Sequence, residues 1–418
     1  MEAVFRDDVD EVKRLLFQGA DIDEYNLYDV SALSLACEFG HTEIALMLIT
    51  SKDKVDSQRF GLETPLMLAA RNGDVVIVKA LLAAGAEVDH RDGKGRTALM
   101  WAAAAGNAEV VDVLMESDAD VSYHLEREGF SAFHFAAREG KTEVVKRFLD
   151  RGFVVNAVMA PKSKGVRKPR GKMSTLLLAV ESAHFELAIE LVEAGADPND
   201  QRSGFAPLHA ATWVRRTKLG DNPLGDPAPR GSGNVTSLQF VDRMLQRGAD
   251  VNLRLKDGKA DLNSKHATPF LLAAQTADIP LMKLLLNAGA DPKIANRDGC
   301  TALIAAAEIG TVSVGEEAAS ENEVCVAIEM LVELGLDVNA LDVNLETPMH
   351  GAAYRNYPKA VDLLASLGAD PEKWNHKNKF KWSPFDIGHD HRPGSLNPSP
   401  PTLAALERAM KNSADEEE

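Results

Sequence analysis

Short apolar runs of two kinds alternate along this chain. The first kind opens with Thr or Ser, continues with Pro or Ala and large apolar residues, and closes on an Ala pair. Copies read TPLMLAA from Thr64, TALMWAA from Thr97, SAFHFAA from Ser131, STLLLAV from Ser174 and APLHAAT from Ala206. TPFLLAA from Thr268, TALIAAA from Thr301 and TPMHGAA from Thr347 continue the series, with weaker copies at Ser31 (SALSLAC) and Ser383 (SPFDIG). The second kind is an apolar run with Leu-Leu near its end, closed by G-A-D-x-N. Its closing glycine falls at Gly19, Gly85, Gly152, Gly195, Gly248, Gly289, Gly335 and Gly368, with Lys52 and Asp118 in two places. Each run is a helix in pattern. Thr or Ser caps the first, and Pro stands where no amide hydrogen is missed. The Ala pair lets the two helices approach, Leu-Leu fills the layer between units, and a left-handed Gly stops the second helix. Lys52 and Asp118 in that glycine position predict a strain of about 1 kcal/mol each.

Successive closing positions lie 33, 33, 33, 34, 43, 53, 41, 46 and 33 residues apart. This spacing and T-P-L-H-x-A resemble the ankyrin repeat, whose period is 33. The resemblance covers nearly the whole chain. It implies an all-α ankyrin-repeat solenoid of about eleven helix-turn-helix units with finger loops, and a binding rather than a catalytic role. A single repeat domain over residues 1–412 follows, with an acidic tail at 413–418. The first unit keeps only half its first helix. In the last helix, TLAALERAMKN, Leu403, Leu406 and Met410 share a face able to close the final layer.

The longer gaps mark four insertions, at 158–173, 213–236, 253–266 and 312–324, and a Pro-rich loop at 389–400 precedes the last helix. Insertions lengthen loops on a functional face. The second combines Trp213-Val214-Arg215-Arg216 with Asn-Pro and a Gly-rich end, ahead of ATPFLLAAQTADIPLMKLLLNAGADP. That combination resembles a bacterial ankyrin subfamily, many members of which carry an export signal.

A chain of 418 residues exceeds what one compact core holds, about 250–300 residues, so an elongated repeat satisfies length as well as period. Net charge is −17, which argues against bulk attraction to nucleic acid or anionic membrane. No stretch reaches the roughly 18 apolar residues of a membrane span. The start, EAVFRDDVDEVKRLL, is acidic and helical in pattern, unlike a signal peptide. Localisation reads as soluble and cytoplasmic, or as periplasmic or secreted if an export signal was removed. Cys37, Cys300 and Cys325 form neither a disulfide framework nor a CxxC site. Asn234-Val235-Thr236 is a glycosylation sequon, meaningful only in a eukaryotic secretory pathway.

Catalytic chemistry finds no purchase. His134, His209 and His350 hold the fourth motif position, where imidazole bonds neighbouring backbone, and His41 and His184 sit at inter-helix turns. His389-Asp390-His391 lacks a fourth metal ligand. DGKGRT around Lys94 is a finger turn rather than a phosphate loop, and no G-x-S-x-G elbow occurs. No cofactor is implied. Instead, finger positions before each motif carry Phe60, Lys94, Arg96, Arg127, Phe130, Arg202, Phe205 and Arg297. Positions after the Ala pair carry Arg71, Asn72, Arg138, Trp213, Glu308, Tyr354 and Arg355. Arg and aromatic side chains supply hot-spot energy at interfaces. These positions line the concave side of such repeats, so the expectation is a scaffold binding a protein or peptide with acidic and apolar groups. The face is centred on the repeats from Thr97 to Ala274. Against it, acids such as Glu128 and Glu139 can neutralise the arginines.

A rival from another class is a small-ligand or enzymatic pocket roofed by residues 213–236, with Arg215 and Arg216 holding an anion. Trp213 could also be the loop's private core, with the arginines paired to Asp221 or Asp226. A third reading gives nucleic-acid contact to the basic run Lys162–Lys172.

Overall fold

The computed structural model describes every residue except 23, 28–29, 50–54, 59–60, 162–171, 217–228, 257–264, 308–318, 390–397 and 416–418. Phe60, Glu308, Lys52, Asp221, Asp226, most of the basic loop and the His-Asp-His pair Asp390 and His391 lie outside the described residues. Among those described, all regular structure is helical, with two isolated bridges, Tyr25 to Ser31 and Val158 to Ser174. The chain divides into two compact units, Met1–Ala196 with Gly231–Gly233, and Asp197–Arg230 with Asn234–Glu418.

The first unit stacks six helix pairs. These are Glu2–Phe5 with Val9–Phe17, Ala32–Phe39 with Thr42–Leu48, and Pro65–Asn72 with Val75–Ala83. Ala98–Ala105 with Ala108–Glu116, Ala132–Arg138 with Thr142–Asp150, and Thr175–Glu181 with Phe185–Glu193 complete it. The second unit stacks five. Pro207–Arg215 pairs with Ser237–Gln246, Pro269–Gln275 with Ile279–Asn287, and Ala302–Ala307 with Glu321–Glu333. Pro348–Tyr354 pairs with Pro358–Ser366, and Pro384–Gly388 with Pro400–Asp415 after a single turn, Pro371–Trp374. The pairs are repeats one to eleven below, with an inner first helix and an outer second helix.

Packing follows the motif. The Ala pairs Ala69-Ala70, Ala102-Ala103, Ala136-Ala137, Ala210-Ala211 and Ala273-Ala274 are fully buried where inner and outer helices meet. Four residues before the closing positions from Gly85 onward stand Leu81, Leu114, Phe148, Leu191, Met244, Leu285, Leu331 and Leu364, each at most 1% exposed. At roughly 1.5–3 kcal/mol per buried large side chain, this column is the main cohesion between neighbours. At the end, Ala405, Leu406 and Ala409 are buried and the last helix lies on Pro358–Ser366.

The asparagine of G-A-D-x-N ties one repeat to the next. Asn199 Nδ2 donates to the Gly248 carbonyl at 2.9 Å, and its Oδ1 accepts from the Asp250 amide at 2.8 Å. Asn252 does the same with Gly289 and Asp291, and Asn339 with Gly368 and Asp370. A side-chain amide offers both a donor and an acceptor, which is what the backbone ends of adjacent turns leave open.

Among the described residues the left-handed conformation recurs at the ends of most inner helices, at the ends of the outer helices and in the fingers, two residues before the cap. Glycine fills most of these positions. Asp118, at φ 63°, has the strained backbone its sequence position predicts. The finger position is Gly95, Gly129, Gly204 and Gly299, but Leu62, Lys172, His266, Leu345 and Lys381 elsewhere, with φ between 59° and 70°.

Candidate functional site

On the first unit, inner helices and fingers of repeats three to five bring together arginines and aromatic rings. Trp101 is the centre. It occupies the variable fifth position of TALMWAA, so the inner-helix geometry leaves its ring half-buried. The Arg96 guanidinium lies 4.0 Å and that of Arg71 5.1 Å from the ring. Trp101 Nε1 donates to Asp92 Oδ2 at 3.3 Å. Asp92 is buried and also accepts from Arg96 Nε at 2.7 Å and from the Lys94 and Arg96 amides. One carboxylate therefore sets the finger, the Trp orientation and the arginine over it. One repeat on, Arg138 lies 5.1 Å from Phe130 and 4.9 Å from Phe135. The fingers that open repeats four and five meet where Arg91 stacks on Tyr123 at 4.1 Å.

The arginines are not bare charges. Arg71 pairs with Glu38 at 3.2 Å, Arg138 with Glu139 at 2.7 Å, and Arg96 with Asp92 and, at 4.0 Å, Glu63. Lys94 and Arg127 are exposed. Repeats three to five thus offer flat cation–aromatic stacks near electrical neutrality. Trp101, Arg91 and Tyr123 are missing from the sequence-based set. A Trp at a motif position open to any residue is the signal that marks Trp101.

The second unit rearranges several expectations. Phe205 is 4% exposed and Arg355 1%, so neither faces solvent as the motif spacing implied. Phe205 forms the buried wall against which Trp213 packs edge-on, with centroids 5.0 Å apart. Arg355 lies inside with its guanidinium 5.3 Å from the Tyr357 ring. The Tyr354 hydroxyl donates to Glu346 Oε1 at 2.9 Å, an internal role. Arg202 pairs with buried Asp200 at 2.8 Å, and Arg297 is exposed.

Arg215 and Arg216 reach forward rather than out. Arg215 Nε donates to Asp278 Oδ2 at 2.5 Å and Nη1 to Ser237 Oγ at 2.9 Å. Arg216 donates to the Thr276 carbonyl at 3.1 Å and to Glu323 Oε1 at 2.7 Å. The Ser320 backbone amide, with Arg216, holds the Glu323 carboxyl down at about 2. The Trp-x-Arg-Arg motif therefore clamps repeats seven, eight and nine. Repeat carboxylates already occupy the donors that an anion pocket would need.

The motif histidines are structural. His209 Nδ1 accepts from the Ala206 amide at 3.1 Å and Nε2 donates to the Leu253 carbonyl at 2.9 Å. His350 repeats this with Thr347 and the His376 carbonyl, and His134 accepts from Ser131. Burial pushes all three imidazoles down to about 4. No group of three or more candidate metal ligands occurs among the described residues. Open clefts of about 410 and 380 Å³ lie between outer helices, lined by Lys79, Leu82 and Val113 in one and Met115, Arg151 and Phe153 in the other. Neither adjoins the arginine–aromatic stacks. No described helix is long and apolar enough to cross a membrane.

The model for ankyrin repeats in sets of three copies matches residues 1–92, 66–159 and 271–375, more than half the chain. The chain belongs to the ankyrin-repeat family. Among curated proteins, this ankyrin chain is 49% identical over 55 residues to the ankyrin repeat protein FPV244 of fowlpox virus, covering 13% of this chain and 8% of that protein. It is 29% identical over 164 residues to an ankyrin repeat-containing protein of Treponema pallidum, covering 39% and 43%. With the nuclear factor NF-kappa-B p105 subunit of Gallus gallus it shares 29% over 227 residues, covering 50% and 21%. It thus spans less than half the length of each of these relatives. The human ASB11 ankyrin repeat domain aligns at TM-score 0.48 and 23% identity, over 63% of this chain and all of that one. Ankyrin repeats are generally protein–protein interaction modules, and proteins built from them are typically non-enzymatic binding scaffolds.

Proposed function

We propose that this ankyrin protein is a non-enzymatic scaffold that docks a protein or peptide on the inner-helix and finger face of repeats three to five. The observation that carries the reading is Trp101 held between Arg71 and Arg96, with Arg138 on Phe130 one repeat away. Trp and Arg are the residues most enriched where binding energy concentrates. Partner carboxylates can take the places of Glu38 and Glu139, because half-exposed ion pairs are worth only about 0–1 kcal/mol and exchange at little cost. Apolar partner groups then stack on Trp101 and Phe130. A partner with acidic and apolar groups fits both steps. The Trp213-x-Arg215-Arg216 insertion and the relative from Treponema pallidum support a place in a bacterial group of ankyrin proteins.

The test is capture of partners by the wild-type chain and by Trp101→Ala, Arg71→Glu and Arg138→Glu variants, with melting followed in parallel. The reading requires a partner retained by wild type and lost by the three variants at unchanged melting temperature. A partner retained by all three variants would place the contact elsewhere.

A further inference from the structure

The fingers that open repeats ten and eleven carry a second surface, on the other unit, of different chemistry. Leu341, Val343 and Leu345 on one finger and Phe380 on the next are 43–56% exposed, and Trp382 is half-buried beside them. Phe380 and Trp382 stack at 5.8 Å. Lys377, Lys379 and Lys381 alternate with these rings and are exposed. Lys377 lies 3.8 Å from Asp386, while Lys379 and Lys381 have no ion-pair partner among the described residues. On a chain of net charge −17, a finger with three lysines and no acid from His376 to Trp382 is a local reversal of sign.

Two further observations separate this patch from chance exposure. The fingers are rigidly built. Asp342 Oδ1 accepts the Asn344 and Glu346 amides, and Asn378 Oδ1 accepts the Phe380 and Trp382 amides. Asn378 Nδ2 donates to Glu346 Oε1, His376 Nε2 lies 2.8 Å from the Leu345 carbonyl, and the Lys379 amide bonds the Asn344 carbonyl. The display is also strained. Leu345 at φ 62° and Lys381 at φ 70° stand where four other fingers use glycine. A left-handed leucine that is also solvent-exposed loses on both backbone and hydration.

We propose that the fingers Leu341–Leu345 and His376–Trp382 form a docking surface for an acidic peptide segment carrying apolar side chains. Partner carboxylates meet Lys379 and Lys381, while apolar side chains cover Leu345, Phe380 and Trp382. Preorganised fingers lower the ordering cost of binding. An anionic bilayer or a nucleic acid is far larger than these fingers and meets the acids of the rest of a chain of net charge −17, whereas a short peptide meets the lysines of the finger.

The experiment pans a random 16-residue peptide library against the full chain and measures selected peptides by fluorescence anisotropy. The expected result is enrichment of net-negative peptides with Leu, Phe or Trp, with affinity falling as salt rises. Lys379→Glu/Lys381→Glu and Phe380→Ser variants should each weaken binding at least about tenfold. Leu345→Gly relieves the backbone and stays folded, so it should raise the melting temperature while weakening the peptide about threefold. Enrichment without acidic residues, or binding indifferent to all these variants, overturns the proposal. Preferential capture of phosphatidylserine vesicles or of a single-stranded oligonucleotide by wild type overturns it too. Peptides lost only by the Trp101→Ala variant would assign acidic recognition to repeats three to five and remove it from these fingers.

Discussion

Removing Arg215 should cost more than removing its partner Asp278, and the difference can be worked from the structure. The Asp278 side chain is 1% exposed and that of Arg215 20%. Asp278 also accepts the Leu281 amide at the start of helix Ile279–Asn287. Arg215→Met leaves a buried carboxylate with one neutral donor and no cation, a loss of about 3–5 kcal/mol. Asp278→Ala removes the cap, worth about 1 kcal/mol, and leaves a guanidinium that still reaches water. Its cost should be about 2 kcal/mol. The double variant Arg215→Met/Asp278→Ala should be less destabilised than the sum of the singles by about 2 kcal/mol, because the unpaired charge is gone. Urea unfolding supplies the energies, and hydrogen exchange across Ile279–Asn287 localises them, since repeats open by neighbours rather than all at once. An Arg215→Met cost under about 1 kcal/mol, or strictly additive singles, would refute the clamp.

Other outcomes follow from single positions. Gly231→Ala places a Cβ 1.7 Å from the Ala183 carbonyl oxygen and should lift Ser232 from His184 Nδ1, destabilising the first unit by about 2 kcal/mol in denaturant titration; unchanged stability would mean that limb is not docked. Asp118→Gly should stabilise by about 1 kcal/mol through relief of the left-handed backbone, and a loss instead would show that the Asp side chain matters more. The three motif imidazoles, pushed down to about 4 in the fold, stay neutral while the unfolded chain protonates near its ordinary 6.5. Their contribution is therefore present above about pH 6.5 and lost as pH falls toward about 4, by up to about 1.4 kcal/mol per pH unit for each. Histidine NMR titration should leave these three signals unshifted down to about pH 5; titration near 6.5 would contradict their burial.

The repeat and its helices were legible in the sequence because each is written locally and rewritten in every unit. Thr64 and Thr97 cap the helices that follow them, Gly85 ends one in the left-handed conformation, and His209 and His350 bond backbone within a few residues or in the next finger. Local rules suffice for the caps and helix ends, and the recurring spacing brings each motif histidine to the next finger. Which exposed-looking side chains stay exposed was decided elsewhere. Arg355 shares a motif position with exposed Asn72, and Phe205 shares one with half-buried Arg96 and Phe130, yet their neighbours bury both. Arg216 finds Glu323 across 107 residues and three insertions. Trp101 becomes a centre only because Arg71 and Arg96 from separate segments close on its ring. Leu345 is held left-handed by a finger whose glycine it replaces. The periodic code specifies what each unit must bury and how it must end. What one unit's side chains meet on the next depends on insertions that break the period, and only the packed tertiary structure settles those meetings.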